Sequence, residues 1–117
     1  MMINELKQWA IKYDIEKTTL ASFWVCFNNY IEEEPIEFHE VFGEDFDHVF
    51  LTVKIESVAL FIDKWDETKD NELISYGFDY VVSYIPIVYR AKKIGLYKLL
   101  FTLEGEAFDD FFILDSW

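Results

Sequence analysis

The chain has 117 residues, 52% of them hydrophobic and 20% aromatic, so it has the length of one domain and ample apolar surface for a core. This composition argues against intrinsic disorder, because burial of so much apolar surface offsets the entropy lost on ordering. With 23 acidic and 10 basic side chains, the net charge is -13, which repels nucleic acids and anionic lipids and attracts basic proteins. We expect a single domain, residues 1–117, that binds neither nucleic acid nor a membrane.

The N-terminus has no basic region followed by an apolar one, so a signal peptide is not predicted, and the longest apolar runs are too short to span a bilayer. We therefore expect a cytoplasmic protein. Residues 3–13 predict a helix, since Ile3, Leu6, Trp9 and Tyr13 recur at spacings of three and four and Asn4 is a candidate cap.

Residues 18–30 fit two patterns. A helix capped by Thr18 or Thr19 would place an apolar stripe on one face, but residues 23–27 are rich in aromatic strand formers, so we favour a strand. The single cysteine, Cys26, lies in this run. It excludes an internal disulfide, fits a reducing compartment, and is expected to be a buried, unreactive thiol.

Residues 31–48 carry many carboxylates and no Lys or Arg. Pro35 should break any preceding helix and Gly43 marks a turn, so we predict a loop that holds a short helical turn. Its aromatic side chains should pack inward and its carboxylates outward. These carboxylates belong to Glu32, Glu33, Glu34, Glu37, Glu40, Glu44, Asp45 and Asp47.

Residues 49–65 also fit a helix or strands. Their many β-branched residues favour two strands that meet near Glu56 and Ser57, although a long helix is the alternative. Residues 63–72 are charged and predict a solvated loop, which contains a further acidic cluster at Asp63, Asp66, Glu67, Asp70 and Glu72.

The C-terminal third predicts antiparallel strands. Residues 73–76 and 78–84 have strand patterns around a bend at Gly77, and Pro86 should lie at a sheet edge, a bulge or a strand end. Residues 96–103 and 108–114 flank the turn 104–107 and predict a hairpin. The fold class is therefore α+β: a twisted antiparallel β-sheet with an N-terminal helix packed on one face.

The sequence contains no pattern that predicts a catalytic, cofactor-binding or metal site. His39 and His48 are nine residues apart, which matches no common zinc spacing. The basic cluster of Arg90, Lys92 and Lys93 is too small to hold nucleic acid against the overall charge. We therefore expect neither an enzyme nor a protein that needs a cofactor.

Carboxylates mixed with aromatic residues are the remaining signal, because such a surface suits a cationic protein partner. In its size, acidity, aromatic content and lack of catalytic residues, the chain resembles the small acidic immunity proteins of bacterial toxin systems, of the contact-dependent-inhibition or colicin type. No motif carries the resemblance, and it transfers no residue roles. It implies a cytoplasmic inhibitor of a basic toxin domain, often a nuclease. The candidate partner-binding residues are Glu32, Glu33, Glu34, Glu37, Glu44, Asp45, Asp47, Glu104, Glu106, Asp109 and Asp110.

Two alternatives remain open on the sequence alone. An antiparallel sheet lined by Tyr and Trp could enclose a small apolar molecule, as a binding module or an enzyme of unrecognised family. A DNA-mimic anti-restriction protein would display carboxylates at about the spacing of phosphates. An inhibitor should carry its acids on one continuous outer face, whereas a ligand carrier should have a lined internal cavity.

Overall fold

Three helices precede a five-stranded antiparallel sheet in the computed structural model of the protein, which describes residues 2–63 and 76–115. The predicted α+β class, with the N-terminal helix region on one face of an antiparallel sheet, is confirmed. The helices are α1 (Ile3–Lys12), α2 (Ile15–Glu33) and α3 (Pro35–Phe42), followed by a 3-10 turn (His48–Phe50). The strands are β1 (Leu51–Thr52), β2 (Ser57–Phe61), β3 (Tyr80–Tyr89), β4 (Lys92–Thr102) and β5 (Ala107–Leu114).

The sheet has β3 and β4 at its centre. β5 pairs with β4 and forms one edge, while β1 and β2 pair with the two halves of β3 and share the other edge. Within the described part of residues 49–65, the prediction of strands rather than a helix is confirmed. The predicted meeting of the two strands near Glu56 and Ser57 is wrong, because β1 ends at Thr52 and the two strands pair with β3 rather than with each other. The predicted hairpin in residues 96–114 is also confirmed, with its turn at Gly105 (φ +86°).

The two faces of the sheet differ in what covers them. Val81, Ser83 and Ile85 of β3 point toward the helices and have no exposed surface. Because side chains alternate along a strand, Tyr80 and Tyr84 point to the opposite face. Val82 and Leu100 on that second face are buried as well. Among the described helices none packs there, and in this sense we call it the open face.

The strand expected for residues 18–30 is wrong, since these residues form the middle of α2. Ile15, Thr19, Phe23 and Phe27 recur every four residues and are buried against the sheet. Packing of this stripe outweighs the strand preference of the aromatic residues, because such preferences are weak compared with core burial. The ring of Phe27 lies within about 6.5 Å of seven other rings, those of Phe23, Trp24, Tyr30, Phe38, Phe42, Phe46 and Phe112.

The loop predicted for residues 31–48 is also largely wrong, because α2 continues to Glu33 and α3 begins at Pro35. Proline ends one helix and starts the next, since its fixed φ and missing N–H suit the first turn of a helix. The aromatic side chains do pack inward as predicted, and Phe38 and Phe42 are buried.

Pro86 lies inside β3 rather than at its end. Tyr84 O accepts a hydrogen bond from Glu56 N at the edge of β3 that faces β1 and β2. In a strand, the backbone polar groups of residues two apart point to the same side, so the nitrogen of Pro86 points to this edge too. It faces the gap between β1 and β2, so its missing N–H costs the sheet no hydrogen bond. The predicted loop at residues 64–72 and the strand start at residues 73–75 lie outside the described residues.

Candidate partner-binding surface

Ten of the eleven carboxylates predicted to bind a partner are exposed, and Glu37 is half-buried. The structure distributes them over three places. The end of α2 and the start of α3 carry Glu32, Glu33, Glu34 and Glu37; the loop after α3 carries Glu44, Asp45 and Asp47; and the β4–β5 hairpin carries Glu104, Glu106, Asp109 and Asp110.

Carboxylates from the first and the last of these places both act electrostatically on Cys26. Burial, the charge of Asp110 and the charge of Glu33, in this order of size, raise the pKa of the Cys26 thiol to about 11. Cys26 and Glu33 are seven residues apart on α2, so they lie on the same side of the helix. Asp110 belongs to β5. The side of the molecule where α2 borders β5 is therefore acidic on both elements.

More carboxylates surround Tyr30, one turn beyond Cys26 on α2. Burial raises the pKa of Tyr30, and the negative charges of Glu37, Glu34 and Glu40 raise it further. The phenol oxygen is shielded from solvent and makes no hydrogen bond of good geometry, so we interpret the influence of Glu37 as chiefly electrostatic. The ring lies 5.0 Å from that of Phe112 in β5. We call Glu33, Glu34, Glu37, Glu40 and Asp110 the acidic flank.

A chain of hydrogen bonds fixes Asp110 within this flank. Tyr97 Oη donates to Asp110 Oδ2 at 2.8 Å, and 2.7 Å separates Tyr97 Oη from Ser22 Oγ. Because the phenol has a single proton, Ser22 is the donor in the second bond. Burial raises the pKa of Tyr97, and the carboxylate of Asp110 raises it further while the Ser22 hydroxyl lowers it. The arrangement fixes the position of the Asp110 carboxylate. The Tyr97 phenol stays protonated and is therefore a poor base.

Arg90 lies beside the loop after α3. The guanidinium carbon of Arg90 lies 4.2 Å from the ring centre of Phe50 and 5.3 Å from that of Tyr89. Its Nη2 also donates to the backbone oxygen of Asp45 at 3.5 Å. Asp47 is used locally, since its Oδ1 accepts from Val49 N. The carboxylates of Glu44 and Asp45 remain exposed.

Asp109 and Asp110 lie on opposite faces of β5. Asp109 is on the open face, where it accepts a hydrogen bond of 3.3 Å from Tyr76 Oη. The Tyr76 ring packs at 5.1 Å from Phe108 and at 5.2 Å from Tyr80. We call Phe61, Tyr76, Phe78, Tyr80 and Phe108 the open-face aromatic cluster, whose rings contact one another outside the main core.

This cluster is not evident from the sequence, because its members come from β2, β3, β5 and the segment before β3. The alternation in β3 was the available signal, since it places Tyr80 and Tyr84 on one face and buried aliphatic residues on the other. Which rings join Tyr80 depends on strand pairing, and Phe61 lies opposite it only through the register of β2.

Large side chains pack between the helices and the sheet, where Phe23, Phe27, Tyr97 and Phe101 have no exposed surface. Depressions of about 310 to 420 Å³ lie on the surface of the described part of the chain. One of about 350 Å³ is lined by Phe78, Asp79, Thr102, Leu103 and Glu104, at the end of the sheet next to the aromatic cluster.

Within residues 2–63 and 76–115, no group of three or more His, Cys, Asp and Glu side chains is arranged to hold a metal ion. The thiol of Cys26, half-buried and with its raised pKa, is largely protonated at neutral pH. Of the described helices, none combines the length and apolar character needed to cross a bilayer.

No family model matches this chain, and no curated protein or solved structure shows a significant match to it. These comparisons therefore suggest no function for the chain.

Proposed function

We propose that this protein is a stoichiometric inhibitor, of the immunity-protein kind, that binds a basic bacterial toxin domain through its acidic surface. The observation that carries the proposal is the packing of β5 beside α2, where the rings of Tyr30 and Phe112 lie 5.0 Å apart and Tyr97 bonds both Ser22 and Asp110. This packing brings two separate acidic stretches of the sequence to one flank. A basic partner would be steered toward this flank by long-range attraction and held there by contacts at closer range.

The nature of the flank suits occlusion of an active site that normally binds phosphates. Its carboxylates project from α2, α3 and β5, three elements that pack on one core through Phe27, Phe38 and Phe112. A rigid support lowers the ordering cost of binding, because the charges are already in place. We therefore propose a nuclease as the toxin, the cytoplasm as the compartment, and no catalytic activity of the inhibitor itself.

Growth rescue tests this proposal. The reading frame immediately upstream should encode a large secreted protein that ends in a small basic domain. Expression of that domain alone should arrest growth and degrade RNA or DNA, and one equivalent of this protein should abolish both effects. A neighbouring frame without such a domain, or a domain that remains fully active in the presence of excess inhibitor, would reject the proposal.

Charge reversal tests the steering part separately. Replacing Glu32, Glu33 and Glu34 together by Lys, or Asp109 and Asp110 together, should lower the association rate and flatten its dependence on salt. The control is the replacement of Glu5 and Glu16 by Lys, because both residues are exposed and lie outside the predicted set. It changes the net charge as much as the reversal of Asp109 and Asp110. An association rate that responds equally to the control pair would show that only net charge matters.

A further inference from the structure

The depression beside Phe78 joins an exposed aromatic ring to two carboxylates. Phe78 is 41% exposed, although its ring packs at 5.1 Å against Phe108. Asp79 and Glu104 line the same depression. A ring face and carboxylates attract the same kind of group, a cation with a flat apolar surface.

Both walls of the depression are fixed before any partner arrives. Leu103 O accepts a hydrogen bond of 2.8 Å from Trp9 Nε1 of α1, which anchors the turn between β4 and β5. Asp79 Oδ1 accepts one of 3.0 Å from Asp63 N, which orients that carboxylate. Such a site needs little rearrangement to bind.

Cations of the chain lie over three of its other aromatic rings. Arg90 covers Phe50, Lys98 Nζ lies 5.1 Å from the ring centre of Phe111, and Lys12 Nζ lies 5.1 Å from that of Tyr13. The exposed part of the Phe78 ring offers the same kind of contact to a cation of another molecule.

We propose that this depression binds an arginine side chain of the basic partner, with the guanidinium over Phe78 and its N–H groups directed to Asp79 and Glu104. Arginine suits the site better than lysine because its planar group both stacks on a ring and bonds carboxylates in pairs. The inference rests on the proposed function for its partner, and it assigns an anchor on the open-face side of the molecule, distinct from the acidic flank. Steering and anchoring are thus assigned to different parts of the surface.

The probe is a capped tripeptide, acetyl-Gly-Arg-Gly-amide, titrated into isotope-labelled protein and followed by amide chemical shifts. The shifts should saturate at millimolar peptide and be largest at the five lining residues. The Lys tripeptide should bind more weakly, and the Gln tripeptide should leave the shifts unchanged. Glu104→Gln and Phe78→Leu should each weaken binding by about threefold to tenfold. Glu44→Gln, at an equally exposed acid of the α3 loop, is the matched control.

Shifts that concentrate on the acidic flank, that scatter over all carboxylates, or that are as large with Lys as with Arg would overturn the arginine site. So would the absence of saturable shifts at the lining residues. Each of these results leaves the proposed function to the growth-rescue assay. Conversely, arginine binding at the lining residues by a protein that fails to neutralise the basic domain would retain the site and reject the proposed function.

Discussion

Tyr97 Oη donates a 2.8 Å hydrogen bond to Asp110 Oδ2, and this bond joins the buried interior to an exposed acid of the edge strand. The ring of Tyr97 has no exposed surface, whereas Asp110 is an exposed residue of β5. Because the Tyr97 phenol also accepts a hydrogen bond from Ser22, its own proton is directed to Asp110. The Asp110 carboxylate therefore has one preferred orientation. The acidic flank is thus built partly from the core outward.

We predict that Tyr97→Phe destabilises the fold by about 1 to 3 kcal/mol, because it leaves the Ser22 hydroxyl and the Asp110 carboxylate without this partner. The free energy of unfolding from urea denaturation measures the change. Tyr84→Phe, in the half-buried part of the open face, is the control and should cost less. Equal costs at the two positions would show that the chain of hydrogen bonds adds nothing to stability.

Sequence reasoning succeeds for the C-terminal hairpin because its signals are local. The turn 104–107 and the alternation on either side of it specify the pairing of β4 with β5 without help from the rest of the chain. It fails for α2 because Phe23 to Phe27 favour a strand locally, and only the sheet beneath them makes the four-residue stripe from Ile15 to Phe27 decisive. Local preference and tertiary packing conflict there, and packing prevails.

The candidate site was likewise predicted from the sequence only in part. The outward position of the carboxylates follows from their charge and was predicted. The position of Asp110 next to α2 was not, because it depends on the long-range packing of α2 beside β5. The depression at Phe78 is set by side chains far apart in sequence, from before β3 and from the end of β4, and no local pattern announces it.

A buried pair of hydroxyls links α2 to the sheet and gives a second prediction. Thr19 Oγ1 donates to Ile15 O, so Ser83 Oγ donates across to Thr19 at 2.7 Å. Neither residue has exposed surface. Thr19→Val leaves Ser83 a longer alternative acceptor, Leu99 O at 3.3 Å.

We therefore expect Thr19→Val and Ser83→Ala to cost about 1 kcal/mol each, and the double variant to cost less than their sum. Urea denaturation of the four proteins gives the coupling energy. Strictly additive costs would show that the hydroxyls do not stabilise one another.

The turn between β4 and β5 depends on a close approach to α1. Gly105 has φ +86°, and a Cβ atom there would overlap the ring of Tyr13. Gly43 has φ +84° but nothing within 4 Å of the same position, so it is a control for the backbone term alone. Gly105→Ala should destabilise the protein by about 1 to 3 kcal/mol more than Gly43→Ala. Thermal unfolding of both variants measures the difference, and equal shifts would refute tight packing of Tyr13 on the turn.

Alkaline pH should weaken the fold through groups buried in neutral form. The pKa of Cys26 rises from 9.0 to about 11 on folding, and those of Tyr30 and Tyr97 rise above their usual 10.0. Between the unfolded and folded values the unfolded chain loses protons that the folded chain keeps, so the free energy of unfolding falls as pH rises. The contribution of these neutral buried groups to the free energy of unfolding is fully present below about pH 9 and is lost progressively above it.

Urea denaturation on both sides of about pH 10 measures this slope. Tyr97→Phe removes one of the titrating groups, so its free energy of unfolding should fall less steeply with pH than that of the wild-type protein. A slope that is the same in the variant and in the wild-type protein would show that the buried phenol of Tyr97 does not oppose ionisation as its surroundings indicate.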